Sequence, residues 1–437
     1  FFGALSCSVL YFLIKNLYEK LFTDKKILKI FVCLFVVLQF CFSSSLHSLS
    51  IVSEMYSINA FFTVLIIYLL LATKPSNLGN YMILIAFLFG LGLGNHQTLV
   101  LLIPGIVYLI VRSQTTRYWI LDIGHWTFFF LLGFSIYLFL PIRSAQNPTA
   151  NWGAPSASAR NFYRVLTRAD YGGVRLHPEK SPTEQNLSTV IRNFVNFLSI
   201  SIEYKNGWAV AMIFFLAAGM YLTFRKKLFW TLFLFWFFSG PAFFIISNLP
   251  LTVKTSLPIL EPYLIMPMII FTIFVALGYL QGILSLSRFI GDKIVIFVIS
   301  AGMCGIILFN LPQSSKRYEF TGYDYSKDLL KTLPKNSVLF NPDDTTTFTL
   351  KYQQDCLQKR KDVKLAVFYK TLWGYGQLKK KYPEILPNYE MKSGIELEAT
   401  LLSYNFERFP FYSDNISKIP PNYKITPQGL LYGNSDI

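Results

Sequence analysis

Charge is scarce in this chain: 15% of its 437 residues are Asp, Glu, Lys or Arg, against 53% hydrophobic and 17% aromatic. Such a composition lies far from the soluble globular average and places most of the chain in lipid. Cysteine is nearly absent too. Cys7, Cys33, Cys41 and Cys304 fall within apolar runs, and Cys356 is left outside them without a partner. Neither a disulfide framework nor a metal-ligand spacing emerges, so no metal is expected. No internal repeat and no low-complexity tract is present, which excludes solenoids. Acid is the rarest charge, 24 Asp and Glu against 40 Lys and Arg, for a net +16. That excess would suit a nucleic-acid partner if it formed a stripe. Instead it sits in short clusters between apolar runs, such as KNLYEKLFTDKK and FRKK, the pattern of cytoplasmic loops, and no nucleic-acid partner is expected.

What the chain does have is long apolar runs without alternation of period two, which read as membrane-crossing helices rather than barrel strands. Ten spans are predicted, near residues 2–15, 27–43, 55–72, 80–94, 98–112, 119–140, 207–224, 228–247, 259–285 and 294–311. Alternate connections carry Lys15 through Lys29, Lys74, Arg112 with Arg117, Arg225 through Lys227, and Arg288 with Lys293, while the short connections on the other side hold only Lys254. The positive-inside rule then puts the second set of connections outside the cytoplasm. Residue 1 falls outside as well, so at least one further span and an external loop are expected upstream.

The fold expected is a polytopic helical membrane bundle over residues 1–311, with an external loop at 141–206, followed by an external α/β domain at 312–437. In that last segment NSVLFNP and DVKLAVFY read as strands, and TTTFTLKYQQDCLQ and TLWGYGQLKKKYP as helices. Its Pro-rich remainder carries no assignment.

Polar residues cluster where the spans emerge outside. FLFGLGLGNHQTLVLLIPG places Asn95, His96, Gln97 and Thr98 at the tip of a hairpin whose Gly90, Gly92 and Gly94 would let its two helices approach closely. As a plain turn it needs no ligand, but it has company on the same face. SEMYSIN supplies Glu54, Tyr56 and Asn59. Glu54 would complement a helix dipole, worth about 0.3–1 kcal/mol, and that explains neither the Tyr nor the Asn. YLFLPIRSAQNPTANWGAP sets Arg143 just after Pro141. An external arginine suits a lipid phosphate through its planar fork, or else anchors to headgroups. Trp152 fits a turn or an interfacial aromatic. RNFYRVLTRADYGGVRLHP, with Arg160, Arg164 and Arg168 interleaved among apolar residues, reads as an amphipathic helix on the outer membrane surface that leads to Tyr171. Glu261 and Tyr263 complete the set at the mouth of the ninth span. Ionisable groups at one membrane face, with almost none at mid-depth, suit an enzyme with an outward cleft better than a transporter.

At these residues the sequence resembles a family of polytopic proteins related to eukaryotic transmembrane protein O-mannosyltransferases. The matching pieces are SEMYSINAFF, GLGLGNHQTLVLLIPG, and YLFLPIRSAQNPTANWGAP with its DYGG tail, over roughly residues 1–175. The stretch from SVLFNPDD to KKKYP is similar to the external domain of bacterial members. The resemblance implies a GT-C type glycosyltransferase that moves a sugar, mannose being one candidate, from a polyprenyl-phosphate carrier to a protein or other acceptor outside the cytoplasm. It needs no cofactor beyond that lipid-linked donor. The implied setting is a bacterial inner membrane, or the endoplasmic reticulum membrane in a eukaryote. Arg143 is expected on the lipid phosphate, His96 and Gln97 as donors to phosphate or sugar, and Glu54 on sugar hydroxyls or orienting those donors. Tyr56, Asn59, Asn151, Trp152 and Tyr171 are expected to line the rest of the site. The family's acidic motif, its general base, is expected upstream, so the chain as given is expected to lack activity. Where bacterial members carry Gly-Asp-Asn, this chain has Asn341-Pro342-Asp343-Asp344. A ligase or polymerase using a lipid-linked donor, or a lipid or glycan transporter, are the alternatives.

Overall fold

The computed structural model describes residues 1–22, 25–52, 54–73, 77–113, 119–148, 151–169, 173, 208–246, 260–367, 372–387 and 394–434. The chain divides into two compact units, one of Phe1–Phe139 with Thr167–Lys316, the other of Leu140–Leu166 with Arg317–Ile437. The segment after residue 140, read from sequence as a loop of the bundle, is thus grouped as far as Leu166 with the C-terminal region.

In the first unit α1 (Phe2–Leu21), α2 (Lys26–Cys41), α3 (Ser44–Ile51), α4 (Tyr56–Ala72) and α5 (Leu78–Asn95) follow in order. A 3-10 turn at Gln97–Leu102 leads into α6 (Ile103–Ser113), and α7 covers Trp119–Phe134. After the second unit's α8 (Phe139–Ala145) and α9 (Ala159–Leu166), the bundle resumes with α10 (Trp208–Thr223) and α11 (Lys227–Phe237). A π-helical turn around Pro241 joins α11 to α12 (Phe243–Ile246), and α13 (Ile265–Ile290) and α14 (Asp292–Ser314) close the unit. Where they are described, the predicted stretches are helical, except at span ends such as Phe42, Ser43 and Met55. Among the described residues five helices are long and apolar enough to cross a membrane, six if the bent α2–α3 pair counts as one, and the rest are shorter or carry charge. The chain is therefore a helical membrane protein by the length and composition of these elements.

Helix α13 is the axis of this unit. Every residue from Ile265 to Leu280 is buried, as expected of a helix that is apolar all round and packed on all sides. Its neighbours reach it through small residues: a Cβ on Gly278 would meet the Phe215 carbonyl, and one on Gly219 would meet the Phe274 carbonyl. The same device joins α5 to α7, where a Cβ on Gly90 would meet the Phe130 carbonyl and one on Gly133 the Phe87 carbonyl. The glycines of the hairpin therefore divide their work. Gly92 faces Leu99 and Phe62, Gly90 faces α7, and Gly94 faces Ile136 of the 3-10 turn (Ser135–Leu138) that follows α7.

Lysines finish the helices at one end of the bundle. Lys20 Nζ donates to the Leu71 and Ala72 carbonyls at the end of α4 (2.6 and 3.2 Å). Lys227 Nζ donates to the Arg112 carbonyl near the end of α6. Lys25 Nζ donates to Ser287 Oγ and to Asp292 at 2.7 Å each, bridging the end of α13 and the start of α14. Cations at helix C-termini satisfy orphan carbonyls and oppose the helix dipole, so this end concentrates the positive charge.

In the second unit α15 (Thr321–Thr332) precedes β1 (Val338–Phe340), α16 (Asp344–Lys351) and β2 (Lys364–Ala366). Then come α17 (Leu372–Lys381), α18 (Gly394–Asn405) and strands β3 (Phe411–Ser413), β4 (Thr426–Gln428) and β5 (Leu431–Gly433). The sheet order is β2-β1-β3-β5-β4. β1 pairs in parallel with β2 (Leu339 opposite Leu365) and with β3 (Leu339 opposite Tyr412), while β5 is antiparallel to β3 and β4. Both predicted strands and both predicted helices are present. The Pro-rich remainder supplies α18 and the other three strands. Val338 and Phe340 belong to one apolar cluster and Leu339 to another, so alternate side chains enter cores on opposite faces.

Candidate functional site

At the end of the first unit opposite its lysine-capped end, α4 begins, α5 ends and α13 begins. The 17 residues of α4 separate the two ends by about 25 Å at a rise of about 1.5 Å per residue. Asn95 stitches the first two elements together, its Nδ2 donating to the Met55 carbonyl at 3.0 Å. Three rings then meet. Tyr56 and His96 have centroids 5.6 Å apart, His96 and Tyr263 5.6 Å, and Tyr56 and Tyr263 5.9 Å. Phe243 stacks on the far side of Tyr263 at 5.1 Å, and the two tyrosine hydroxyls are hydrogen-bonded to each other.

The other side of the His96 ring is held by a relay. Thr98 backbone N–H donates to Nδ1 at 3.3 Å, and Thr98 Oγ1 lies 2.7 Å from the same nitrogen. Asn59 Nδ2 donates to Thr98 Oγ1 at 3.2 Å. A peptide N–H can only donate, so Nδ1 is the unprotonated nitrogen of the ring. Burial first, and the positive charge of Arg168 second, lower the His96 pKa from 6.5 to about 4. Its imidazole is therefore neutral near pH 7, and Nε2 carries the proton. Asn59 is 2% exposed, and its Oδ1 has no hydrogen-bond partner among the described residues. An orphaned buried acceptor of this kind costs about 1–3 kcal/mol, which marks the relay as a strained spot.

Two charges bear on the cluster. The Glu54 carboxylate is exposed and within electrostatic range of the Tyr56 and Tyr263 hydroxyls. Arg168 acts on His96, Tyr56 and Tyr263 alike. Gln97 is hydrogen-bonded to the hydroxyl of Tyr137, in the 3-10 turn after α7, and that hydroxyl donates to the Leu93 carbonyl at 2.8 Å.

Glu54, Tyr56, Asn59, His96 and Gln97, all expected from sequence, thus share one end of the bundle. Arg143, Asn151 and Trp152 lie in the second unit. Arg143 is exposed and donates to Gln146 Oε1 at 2.6 Å. Asn151 Nδ2 reaches the Ser144 carbonyl at 3.5 Å, and the Trp152 ring lies 4.6 Å from that of Trp373. Tyr171 lies outside the described residues, as does the side chain of Glu261. Sequence reasoning placed Arg168 on a surface helix. That helix ends at Leu166, and Arg168 follows in a left-handed backbone conformation (φ 52°) with its charge near His96. A basic residue beside a Gly-Gly turn carries no periodic signal that could have announced this.

The fold and site define a multi-helical membrane protein with a half-buried, neutral histidine, tyrosine hydroxyls and an arginine grouped at one end of its bundle. Comparison with known proteins agrees in kind. Residues 1–119 match the family described as the N-terminal domain of protein O-mannosyl-transferase TMEM260, and residues 322–388 match TMEM260-associated domain 2. The chain is 28% identical over 314 residues to the protein O-mannosyl-transferase tmem260 of Dictyostelium discoideum, covering 66% of this chain and 38% of that relative. The matches relate the chain to the protein O-mannosyltransferases, and it spans less than two fifths of the length of that curated relative. No solved structure matches it.

Proposed function

We propose that the chain serves a GT-C type membrane mannosyltransferase that carries mannose from a polyprenyl-phosphate donor to protein, at the membrane face opposite its lysine-capped end. The observation that carries this reading is the neutral His96, its Nδ1 engaged by Thr98 and its Nε2–H without a partner among the described residues, within electrostatic range of Arg168. The relation to protein O-mannosyltransferases and the clustering of positive charge at the other end support it.

When an acceptor hydroxyl, giving up its proton to a general base, attacks the anomeric carbon, the bond from that carbon to the phosphate oxygen breaks and negative charge grows on the departing lipid phosphate. Arg168 and the His96 Nε2–H offer that charge donors held in a partly buried site, where such contacts are worth more than in open water. A neutral histidine donates without the cost of burying a second cation next to Arg168. Glu54 and the tyrosine hydroxyls offer acceptors and donors to the sugar hydroxyls. All ten helical stretches, on this reading, cross the membrane.

Arg168→Lys keeps the charge and loses the planar fork, so mannosyl transfer should fall about 100-fold, the effect of losing roughly 2–4 kcal/mol of transition-state contact. Arg143→Lys should transfer nearly as well as wild type. The assay is transfer from polyprenyl-phosphate mannose to an acceptor peptide by full-length protein at matched folded concentration. Loss in Arg143→Lys with none in Arg168→Lys would refute the assignment.

A further inference from the structure

The second unit holds a cavity of about 320 Å³ that the proposed transfer does not use. Its floor is apolar, from Leu365 of β2 and Leu378 of α17. Its polar lining holds the donors of Lys351, Lys380, Lys381 and Gln377, beside Asn147 and Tyr382. Asp355 is the carboxylate that answers them, 3.8 Å from Lys351 and 3.4 Å from Lys381. Lys380 donates to the Asn147 amide oxygen at 3.2 Å. Among the described residues, three ammonium groups against one carboxylate leave two positive charges in excess. The Gln377 side-chain Nε2 is buried and has no hydrogen-bond partner among the described residues. Buried donors are normally satisfied, so an unpaired one on the wall of a cation-lined cavity points to a missing acceptor.

We propose that this cavity binds a phosphate group, as a phosphomonoester. A carboxylate would bring a single charge. A phosphomonoester brings about −1.5 to −2 and three acceptor oxygens, which matches the excess charge and the number of converging lysines. Lysine binds phosphate as a flexible point charge, and several converging on one spot can each meet a different phosphate oxygen. Lys351 adds support: burial, above all, lowers its pKa, Asp355 raises it and Lys381 lowers it further. It sits as a half-buried cation that an incoming anion would relieve. The apolar floor accommodates the body that carries the phosphate. The site owes nothing to His96 or Arg168, so it stands or falls apart from the transferase reading.

The test is calorimetric titration of full-length, detergent-purified protein with inorganic phosphate, a hexose 1-phosphate and dihexanoyl phosphatidic acid. Two variants are used. Lys380→Gln with Lys381→Gln removes two exposed ammonium groups, and Gln377→Leu removes the unpaired donor without asking for a new partner. At least one phosphate probe is expected to bind wild type, at least tenfold more weakly to the double lysine variant and severalfold more weakly to Gln377→Leu, with both variants keeping the wild-type melting temperature. A response to inorganic phosphate or the hexose phosphate assigns a soluble ligand, and a response to phosphatidic acid alone assigns a lipid headgroup. Absence of binding by all three probes, or binding that neither variant weakens, overturns the proposal.

Discussion

Acid should destabilise this protein through His96, and the size of the effect follows from its surroundings. The ring is neutral in the folded state because it is buried beside the Arg168 cation, with a pKa lowered from 6.5 to about 4. The unfolded chain takes up the proton near 6.5, so below that pH it binds more protons than the folded state and stability falls with falling pH. The loss begins as pH drops through about 6.5, grows until about 4, and levels off once both states are protonated. A shift of this size corresponds to about 3 kcal/mol. His96→Gln removes the titration while keeping an amide that can accept from Thr98. The free energy of unfolding in detergent, followed by SDS titration at pH 7.5, 5.5 and 4, is compared between wild type and His96→Gln, so that other titrating groups cancel. The advantage of wild type should shrink by about 3 kcal/mol across that range. A difference that stays flat would show that His96 is solvated or already charged, and the assignment of Nε2–H as a neutral donor would fail with it.

Two further outcomes follow from the packing. Thr98→Val should cost about 1–3 kcal/mol because it strands the Asn59 amide in addition to its orphaned Oδ1. Pairing it with Asn59→Leu should recover most of that loss, and a double-mutant cycle in the same unfolding assay that proved additive would dissolve the relay. Gly278→Ala, whose new Cβ would meet the Phe215 carbonyl, should destabilise by at least about 1–3 kcal/mol. Gly79→Ala, with nothing within 4 Å of its new Cβ, should instead stabilise by about 0.5–1 kcal/mol. Equal effects at the two glycines would mean that α10 and α13 do not pack backbone to backbone.

The sequence by itself determined the helices, because a membrane-length apolar run has to close its hydrogen bonds locally and does so whatever its neighbours are. It placed most of their ends within a few residues, but α1 and α13 run five or six residues past the predicted ends. α1 runs on through Lys15 and Lys20 to Leu21 because its final lysine reaches carbonyls at the end of α4, a contact no local pattern contains. In the second unit the strands around Leu339 and Leu365 were legible because parallel strands buried on both faces read as short apolar runs between turns. The antiparallel strands around Pro427 and Tyr432 were not, since β4 is largely exposed and carries a proline and β5 ends in glycine, so neither differs from a loop in composition. The site divides along the same line. The stretch from Asn95 to Thr98 and that from Glu54 to Asn59 each stood out as polar residues interrupting apolar ones. That Tyr263 closes the ring cluster, that Asn59 reaches His96 through Thr98, and that Arg168 supplies the charge were decided only by tertiary structure. Those contacts join residues dozens to more than two hundred positions apart, and such proximity is a product of how the helices pack, which periodicity along one helix does not encode.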